Sequence, residues 1–275
     1  MASWLRRFVG RFAVRQTDID AAAALLLENR VSPGAFDSLP EPLRPHGAAE
    51  GYAIQAALAR HLEAAGLGPV AGCKVGCTTA VMQAFLKIDS PCAGTMHAAG
   101  LHSSGARLRH ADYHHVGVEC EIAVRLAADL PTAPASRDAV AACVGACMAA
   151  IEVVDDRYRD FRALDVGTLI ADDFFHAGCV LGPEVTDWHD QDLAAATGGM
   201  TIDGEAVGGG RGGDILGHPL EALLWLARAQ EAQSRRLKAG QIVMLGSVVE
   251  TKWVPAGGTV EVEVAGLGRA AVVFE

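Results

Sequence analysis

A strictly alternating segment, Val116 to Leu126, lies near the middle of the chain and predicts a β-strand. Every second residue is apolar, and the positions between them include Glu119 and Glu121. Because successive side chains of a strand point to opposite faces, the apolar set would face a core and both glutamates would share the other face. Their Cα atoms would then lie about 6.6 Å apart.

Apolar residues at helical spacing predict two N-terminal helices, Asp18 to Asn29 and Glu50 to Ala65, and a later helix, Pro219 to Gln230. The alanine-rich segment from Arg137 to Met148 predicts another helix, which would run into a strand at Ala150 to Val154. Helices and strands mix without a regular βαβ alternation, so the pattern indicates an α+β fold.

The last third of the chain returns to strand and turn patterns. Asp203-Gly204 predicts a hairpin turn, and short apolar runs predict strands at Ile242 to Leu245, Val260 to Val264 and Ala270 to Phe274. The glycine-dense stretch from Gly208 to Gly213 satisfies Gly-x-Gly-x-x-Gly, but it follows a hairpin instead of opening a βαβ unit. We therefore expect it to be a flexible loop near the functional site, not a dinucleotide-binding loop.

These patterns divide the chain into an extension (1–17), a helical segment (18–71) and a larger β-rich domain (72–275). In the extension, apolar residues such as Trp4 and Phe8 alternate with arginines at helical spacing. This is typical of a basic amphipathic targeting or surface helix, although an extra helical turn or an ill-chosen start codon explains it as well.

Composition narrows the function classes. The 275 residues are 51% hydrophobic, which is enough to form a sizeable hydrophobic core. The net charge of −10 favours a cationic ligand and disfavours nucleic acid as a partner. Apolar runs are too short to span a membrane. Seven dispersed cysteines and no secretory signal indicate reduced thiols in the cytoplasm.

Three carboxylates are the leading candidates for chemistry. Glu152 lies in an apolar run, so it is expected to be buried and to need a partner. That partner would be Arg157 or Arg159, or a cation shared with Glu119 and Glu121; a solvated strand face is the simpler explanation of the Glu119–Glu121 pair. An all-carboxylate set favours Mg²⁺ or Mn²⁺. Two zinc alternatives, the cysteine pairs at CxxxC spacing and the histidines at 110, 114 and 115, have weaker spacing.

An ordered set of motifs spans nearly the whole chain. It consists of Gly72-Cys73-Lys74-Val75-Gly76, Glu119-Cys120-Glu121, Ile151-Glu152-Val153-Val154-Asp155, Ile170-Ala171-Asp172 and Gly217-His218-Pro219. This set resembles the 2-keto-4-pentenoate hydratase and 4-oxalocrotonate decarboxylase branch of the fumarylacetoacetate hydrolase superfamily. The resemblance implies a rolled mixed β-sheet with flanking helices, a homo-oligomer or a complex with a related hydratase or decarboxylase, and a Mg²⁺ or Mn²⁺ site on Glu119, Glu121 and Glu152.

The resemblance also assigns roles to further residues. Lys74 would lie in the active site and shuttle a proton, which requires a lowered pKa, or hold the substrate carboxylate. Asp172 would lie beside it and position a water or Lys74, unless it is an ordinary turn aspartate. Gly246 and Ser247 resemble a segment that lines the substrate pocket.

The chain departs from the branch pattern in three places. Cys92 replaces an aspartate that would serve in proton transfer, and Cys77 replaces an apolar residue, usually leucine. Asp173-Phe174-Phe175-His176 replaces a small polar stretch, Asn-Ala-Ser-Ser. The two phenylalanines would narrow the substrate pocket, with Phe175 as a contact, and His176 would supply a new acid or base.

The function that the resemblance implies is a metal-dependent lyase, a hydratase or decarboxylase of a small unsaturated 2-oxo acid from aromatic-compound catabolism. A 2-oxo acid chelates a metal through its carboxylate and keto oxygens, and the metal stabilises the negative charge that develops. Two alternatives remain open. One is a hydrolase of a C–C bond in an acylpyruvate, and the other is a non-catalytic paralogue that serves as a partner subunit.

Overall fold

A computed structural model describes residues 15–31 and 36–275 of the chain. Six α-helices lie within these residues: α1 (Gln16–Val31), α2 (Ala48–Leu62), α3 (Ala80–Leu86), α4 (Arg137–Ala141), α5 (Val166–Ala171) and α6 (Pro219–Ala232). Twelve strands accompany them: β1 (Val70–Gly76), β2 (Cys92–His97), β3 (Leu101–Ser103), β4 (Ala106–Leu108), β5 (Val116–Leu126), β6 (Val144–Asp155), β7 (His176–Leu181), β8 (Thr197–Ile202), β9 (Glu205–Arg211), β10 (Ile242–Trp253), β11 (Thr259–Val264) and β12 (Gly268–Phe274).

The strands form two mixed sheets. The larger one has seven strands in the order β2-β1-β10-β5-β6-β7-β3, in which β1–β10 and β3–β7 are parallel and the other neighbours antiparallel. The smaller one has the order β4-β12-β11-β8-β9. Long antiparallel strands at the centre and few parallel pairs at the sides are typical of an α+β fold, as the sequence predicts.

The two faces of the larger sheet have different roles. The apolar set of β5, which includes Val118, Cys120 and Ile122, lies in the main core together with residues of β8, β11, β12 and α6. The opposite face carries a smaller cluster of short or flexible side chains, including Ala123, Met148 and Ala150. Glu119, Glu121 and Glu152 alternate with the main-core residues, so the strand period places all three on this second face.

The helical segment near the N-terminus has a core of its own. Ile19, Ala22 and Leu26 of α1 pack with Ile54 and Leu58 of α2. This agrees with a helical N-terminal segment, although the proposed boundary at residue 71 stays a prediction. Residues 1–14, which include most of the basic extension, lie outside the described residues.

Two predicted elements are wrong. The helix predicted from Arg137 to Met148 ends at Ala141, and β6 already begins at Val144. Alanine favours a helix locally, but from Val144 onward the segment pairs with β5, and eleven residues of β6 have a partner in that ladder.

The second wrong prediction is the flexible glycine-dense loop. Its first four residues belong to β9, and a short 3₁₀ turn follows from Gly212 to Asp214. A Cβ atom on Gly210 would lie 2.0 Å from the carbonyl oxygen of Val248 in β10, so a side chain there is excluded by close packing. The Asp203-Gly204 hairpin that precedes it is confirmed.

Within the described ranges, no helix has the length and apolar character needed to cross a membrane.

Candidate active site

The three predicted metal-binding carboxylates meet in the folded chain. Glu119 of β5 and Glu152 of β6 are direct partners in the antiparallel ladder, and Glu121 follows two residues after Glu119. Each offers one carboxylate oxygen, and these atoms lie within 4.8 Å of one another. Among the residues that the structure describes, this is the one such group of histidine, cysteine, aspartate or glutamate side chains.

Each carboxylate is oriented by a neighbour. Glu152 accepts a hydrogen bond from Nδ1 of His176 at 2.9 Å, and its Oε1 lies 3.2 Å from Nζ of Lys74. The backbone N–H of Gly246 donates to Oε2 of Glu121 at 3.0 Å. The hydroxyl of Thr251 donates to Glu119. Three strands besides β5 and β6 therefore fix the cluster: β1, β7 and β10, the last of which contributes at two positions.

The charges in this cluster do not balance. Burial, followed by repulsion from Glu152, raises the pKa of Glu119 and raises that of Glu121 well above its ordinary value. Burial acts on Glu152 in the same direction, but the Lys74 ammonium and the His176 hydrogen bond lower the pKa of Glu152 to about 2. Three carboxylates against one ammonium leave a net charge of −2 when all are ionised. A divalent cation with a preference for oxygen ligands fits this donor set in charge and chemistry.

Lys74 occupies the position that the motif predicts for it, in β1 and almost fully buried. Nζ of Lys74 donates to the carbonyl oxygen of Phe174 at 3.1 Å and lies 5.7 Å from the centre of the Phe174 ring. Burial opposes the charge of this amine, but Glu152, Glu119 and Glu121 raise its pKa. In this arrangement the surroundings raise the pKa of Lys74 and do not lower it, so Lys74 is a charged hydrogen-bond donor. Its predicted roles in proton transfer and in binding the substrate carboxylate stay predictions.

The turn between α5 and β7 supplies a hydrogen-bond partner to each member of the Lys74–Glu152 pair. Lys74 bonds to the carbonyl oxygen of Phe174, and Glu152 bonds to His176, where the turn ends. Its residues Asp173, Phe174 and Phe175 have φ values of 53°, 49° and 64°. Each non-glycine residue in the left-handed region costs about 1–2 kcal/mol, so three in succession form a strained turn. Such a turn persists only when surrounding contacts hold it.

Asp172 lies at the start of this turn, 1% exposed. Its carboxylate accepts hydrogen bonds from Arg30 at 2.8 Å and from Arg157 at 3.2 Å, and Lys74 bonds to other groups. The structure thus directs the carboxylate of Asp172 to two arginines and not to Lys74. Its predicted role of positioning Lys74 would act through the backbone of the turn.

The predicted substrate-binding residues Gly246, Ser247 and Phe175 have the following contacts. Gly246 has a φ of 126°, and a Cβ atom there would lie 2.7 Å from the hydroxyl of Thr78. Ser247 donates to the carbonyl oxygen of Val249 within its own strand. Phe175 packs edge-on against Tyr158 and Phe161, with ring centres 5.9 and 5.8 Å away. Phe174, not Phe175, is the phenylalanine beside Lys74, and the substrate contacts of these residues stay predictions.

His176 reaches the cluster as well. Its Nδ1 bonds to Glu152, and Nε2 is buried with no hydrogen-bond partner among the described residues. Since the carboxylate requires a donor, the neutral tautomer places the proton on Nδ1 and leaves Nε2 as an acceptor. A buried acceptor without a partner is costly, which suits a group that meets substrate or water.

The two cysteines that depart from the branch pattern are neighbours. Gly76 pairs with Cys92 in the β1–β2 ladder, and Cys77 follows directly with a φ of 58°. A hydrogen bond between the two thiols lowers the pKa of Cys77 and raises that of Cys92. Cys92, which stands in place of the branch aspartate, is therefore paired with the thiol of Cys77 near Lys74.

The alternative sites from the sequence do not assemble in the described residues. His115 stacks on Trp253, His110 contacts the carbonyl oxygen of Val254, and His114 contacts Asp155. Arg157, a predicted partner of Glu152, pairs instead with Asp155 and Asp172. Glu152 pairs with Lys74 and His176.

Sequence reasoning missed several residues around the site. Arg30 sits on a helix far away in the chain, and the spacing of polar residues gives no sign of its contact. Thr251 was missed because the predicted strand ends at Leu245, whereas β10 continues to Trp253. Asp173 offered a signal, because a second acidic residue beside Asp172 in an apolar run also requires a partner.

Comparisons with known proteins agree with this geometry. The fumarylacetoacetate (FAA) hydrolase C-terminal family matches residues 52–274. The 2-keto-4-pentenoate hydratase of Paraburkholderia phymatum is 34% identical over 259 residues, which cover 93% of this chain and 97% of the relative. The 4-oxalocrotonate decarboxylase of Pseudomonas putida is 28% identical over 226 residues, or 82% of this chain and 85% of the relative.

A solved structure shows the same fold. The 4-oxalocrotonate decarboxylase from Pseudomonas putida G7, complexed with magnesium and adipate, superimposes with a TM-score of 0.90 at 23% identity. The match covers 96% of this chain and 100% of the neighbour.

The chain belongs to the fumarylacetoacetate hydrolase family. Within the family, it lies with the hydratases and decarboxylases of 2-oxo acids, so the resemblance drawn from the motifs is confirmed. The predicted α+β fold with a mixed rolled sheet is confirmed as well.

Proposed function

We propose that this protein is a Mg²⁺- or Mn²⁺-dependent lyase that adds water to, or removes CO₂ from, a small unsaturated 2-oxo acid such as 2-keto-4-pentenoate. Such a step belongs to the breakdown of aromatic compounds. The observation that carries the proposal is the cluster of the half-buried Glu119 with the buried Glu121 and Glu152, and with the Lys74 ammonium beside it. A homo-oligomer, which the resemblance implies, stays a prediction.

The residues of the candidate site would have separate roles in this reaction. Glu119, Glu121 and Glu152 would hold the cation, which, when bound, supplies positive charge for the substrate's carboxylate and keto oxygens. Lys74 is a fixed ammonium at the edge of the cluster, held by Phe174 and Glu152, and it would bind a substrate carboxylate or give a proton. Nε2 of His176, which is buried and has no hydrogen-bond partner among the described residues, would accept a proton or a hydrogen bond from water.

The test combines binding and turnover. Calorimetry with Mn²⁺ would compare the wild type with Glu121→Gln, which keeps the shape of the side chain and removes its charge. Glu250→Gln is the matched control, because Glu250 is an exposed glutamate on the same sheet, paired with Lys252. We expect Glu121→Gln to bind Mn²⁺ at least 100-fold more weakly and Glu250→Gln to bind like the wild type.

Turnover separates the candidate reactions. Metal-dependent loss of 2-keto-4-pentenoate without CO₂ indicates a hydratase, and CO₂ release from 4-oxalocrotonate indicates a decarboxylase. Cleavage of fumarylpyruvate into two acids would instead support the C–C hydrolase, with His176 as the base. Tight metal binding without any turnover would indicate the non-catalytic paralogue, and unchanged metal binding in Glu121→Gln would refute the site.

A further inference from the structure

The strained turn after α5 is clamped from both sides by buried charges. Nε of Arg30 donates to Oδ1 of Asp172 at 2.8 Å, and Nη2 of the same guanidinium donates to Oδ2 of Asp173 at 3.0 Å. The two carboxylates are 1% and 0% exposed, and the Arg30 side chain is 11% exposed. One guanidinium therefore bridges two adjacent buried carboxylates, which a planar fork of donors does well.

Other contacts hold the ends of the same turn. Arg157 donates to Asp172 and, at 2.9 Å, to the carbonyl oxygen of His176. Oδ1 of Asp173 accepts from the backbone N–H of Thr95 at 2.8 Å and from its hydroxyl at 2.9 Å. Thr95 lies in β2, next to Gly94, the ladder partner of Lys74.

The contacts that hold this turn also fix the surroundings of the candidate catalytic groups. The turn presents the carbonyl oxygen of Phe174 to Lys74, and it ends at His176, whose ring reaches Glu152. Both contacts depend on backbone positions that include three left-handed residues in succession. Without the clamp, an extended or right-handed backbone would be favoured, and the carbonyl would turn away from Lys74.

We propose that Arg30 is a positioning residue: its guanidinium, carried by the N-terminal helix α1, bridges Asp172 and Asp173 and so fixes the turn that places Phe174 against Lys74 and His176 against Glu152. The helical segment thereby contributes to the active site without touching it. This inference rests on the proposed function for its effect on turnover, but its structural part stands apart from any activity.

The experiment uses the full-length protein and two independent readouts. Arg30→Lys keeps the positive charge but offers one ammonium in place of the fork, so it pairs with one carboxylate at a time. Arg60→Lys is the matched control, because Arg60 is a largely exposed arginine of α2 in the same helical pair. Thr95→Val is a milder second variant, since it removes one hydrogen bond to Asp173 and no charge.

The first readout is backbone amide hydrogen exchange, followed by mass spectrometry of the peptide that contains residues 172–177. We expect exchange at least tenfold faster in Arg30→Lys and about threefold faster in Thr95→Val, with peptides of β5 unchanged. Arg60→Lys should match the wild type throughout. Unchanged exchange at 172–177 in Arg30→Lys would overturn the proposal, whatever the enzyme's activity.

The second readout is steady-state turnover. We expect kcat of Arg30→Lys to fall at least tenfold, with KM within threefold of the wild type, because the carboxylate cluster itself is untouched. Faster exchange with an unchanged kcat would show that the turn is not coupled to catalysis, and it would overturn the positioning role. If the wild type shows no turnover at all, the proposed function fails, and the exchange result alone decides whether the clamp exists.

Discussion

Lys74 is the cation beside two buried carboxylates and one half-buried carboxylate, and its charge has two opposite effects. It lowers the pKa of Glu152, and it also opposes the binding of a second positive charge at the same oxygens. Its Nζ is 3.2 Å from Glu152, a separation at which electrostatic interactions in a partly buried site amount to several kcal/mol. Metal affinity and catalysis therefore place opposite demands on this residue.

Substituting Lys74→Met should separate these demands. Removal of the ammonium leaves the carboxylate cluster more negative, so we expect Mn²⁺ to bind at least as tightly as to the wild type. Turnover should fall about 100-fold or more, because the proton donor or carboxylate anchor is gone. Calorimetry and kcat measured on the same preparation check both parts; weaker metal binding together with unchanged kcat would contradict them.

Cys77 should be the most reactive thiol of the chain. It is partly exposed, and its hydrogen bond with Cys92 lowers its pKa, whereas burial raises the pKa of Cys73 and Cys120 to about 12. Because the thiolate is the nucleophile, we expect iodoacetamide to label Cys77 at least tenfold faster than Cys92. Mass spectrometry of the two peptides measures this.

Cys143 is the internal comparison for that labelling. It is also partly exposed, but its thiol donates to the carbonyl oxygens of Asp129 and Ala139. Labelling of Cys143 ahead of Cys77 would mean that the thiol pair does not activate Cys77.

At the scale of elements, the turn between α5 and β7 depends on the carboxylate of Asp172. Burial acts to raise the pKa of Asp172, but Arg30 and Arg157 lower it below its ordinary value. Tyr158 and Asp173 also face this carboxylate. A carboxyl with a lower pKa in the folded state contributes stability that is fully present above its unfolded pKa, about 3.9, and is lost as the pH falls through the folded value.

The variant Asp172→Asn should therefore be less stable at pH 7 by about 3 kcal/mol, since two buried arginines lose a charged partner. The difference from the wild type should shrink as the pH falls below about 4, because this carboxyl is then protonated in the unfolded chain and, at still lower pH, in the folded protein. Urea denaturation at a series of pH values tests this. A difference that stays constant from pH 7 to pH 3 would exclude ionised Asp172 as its source.

The glycine-rich strand β9 makes a second prediction at this scale. We expect Gly210→Ala to destabilise the fold by about 2 kcal/mol or more, because its Cβ would overlap the Val248 carbonyl at 2.0 Å. Gly209→Ala is the matched control, with its nearest neighbour at 3.3 Å. Equal stability of the two variants in urea denaturation would argue against close packing of β9 on β10.

At the scale of the whole molecule, the candidate site joins distant parts of the chain. Carboxylates come from β5 and β6, the ammonium from β1, the histidine from β7, and the clamp from α1. A cation bound by the carboxylates would link the central strands of the larger sheet and bind only the folded chain. Its binding free energy then adds to the free energy of unfolding.

Mn²⁺ at about 100 times its Kd should therefore raise the free energy of unfolding by roughly 2.7 kcal/mol. Thermal unfolding with Mn²⁺ and with EDTA measures the effect. Glu121→Gln should show no such increase at the same Mn²⁺ concentration, and Glu250→Gln should show all of it. An equal increase in all three proteins would indicate cation binding elsewhere.

Much of the site was predictable from the sequence because its residues obey local rules. The period of a strand places Glu119 and Glu121 on one face, and an apolar run around Glu152 predicts its burial. The prediction failed where pairing overrides local preference. The end of the alanine-rich run became part of β6 because β5 was available as a partner. Residues 208–211 became part of β9 because they pair with β8, and β10 packs against them.

The sequence by itself determined the class of fold, the three carboxylates and the lysine that accompanies them, since these follow from periodicity, charge and ordered motifs. Only the tertiary structure decided the partners: Lys74 and His176 for Glu152, the thiol of Cys92 for Cys77, and Arg30 for the strained turn. The physical reason is distance along the chain. Arg30 and Asp172 are 142 residues apart, and a contact of that kind exists only once two separate cores have packed together.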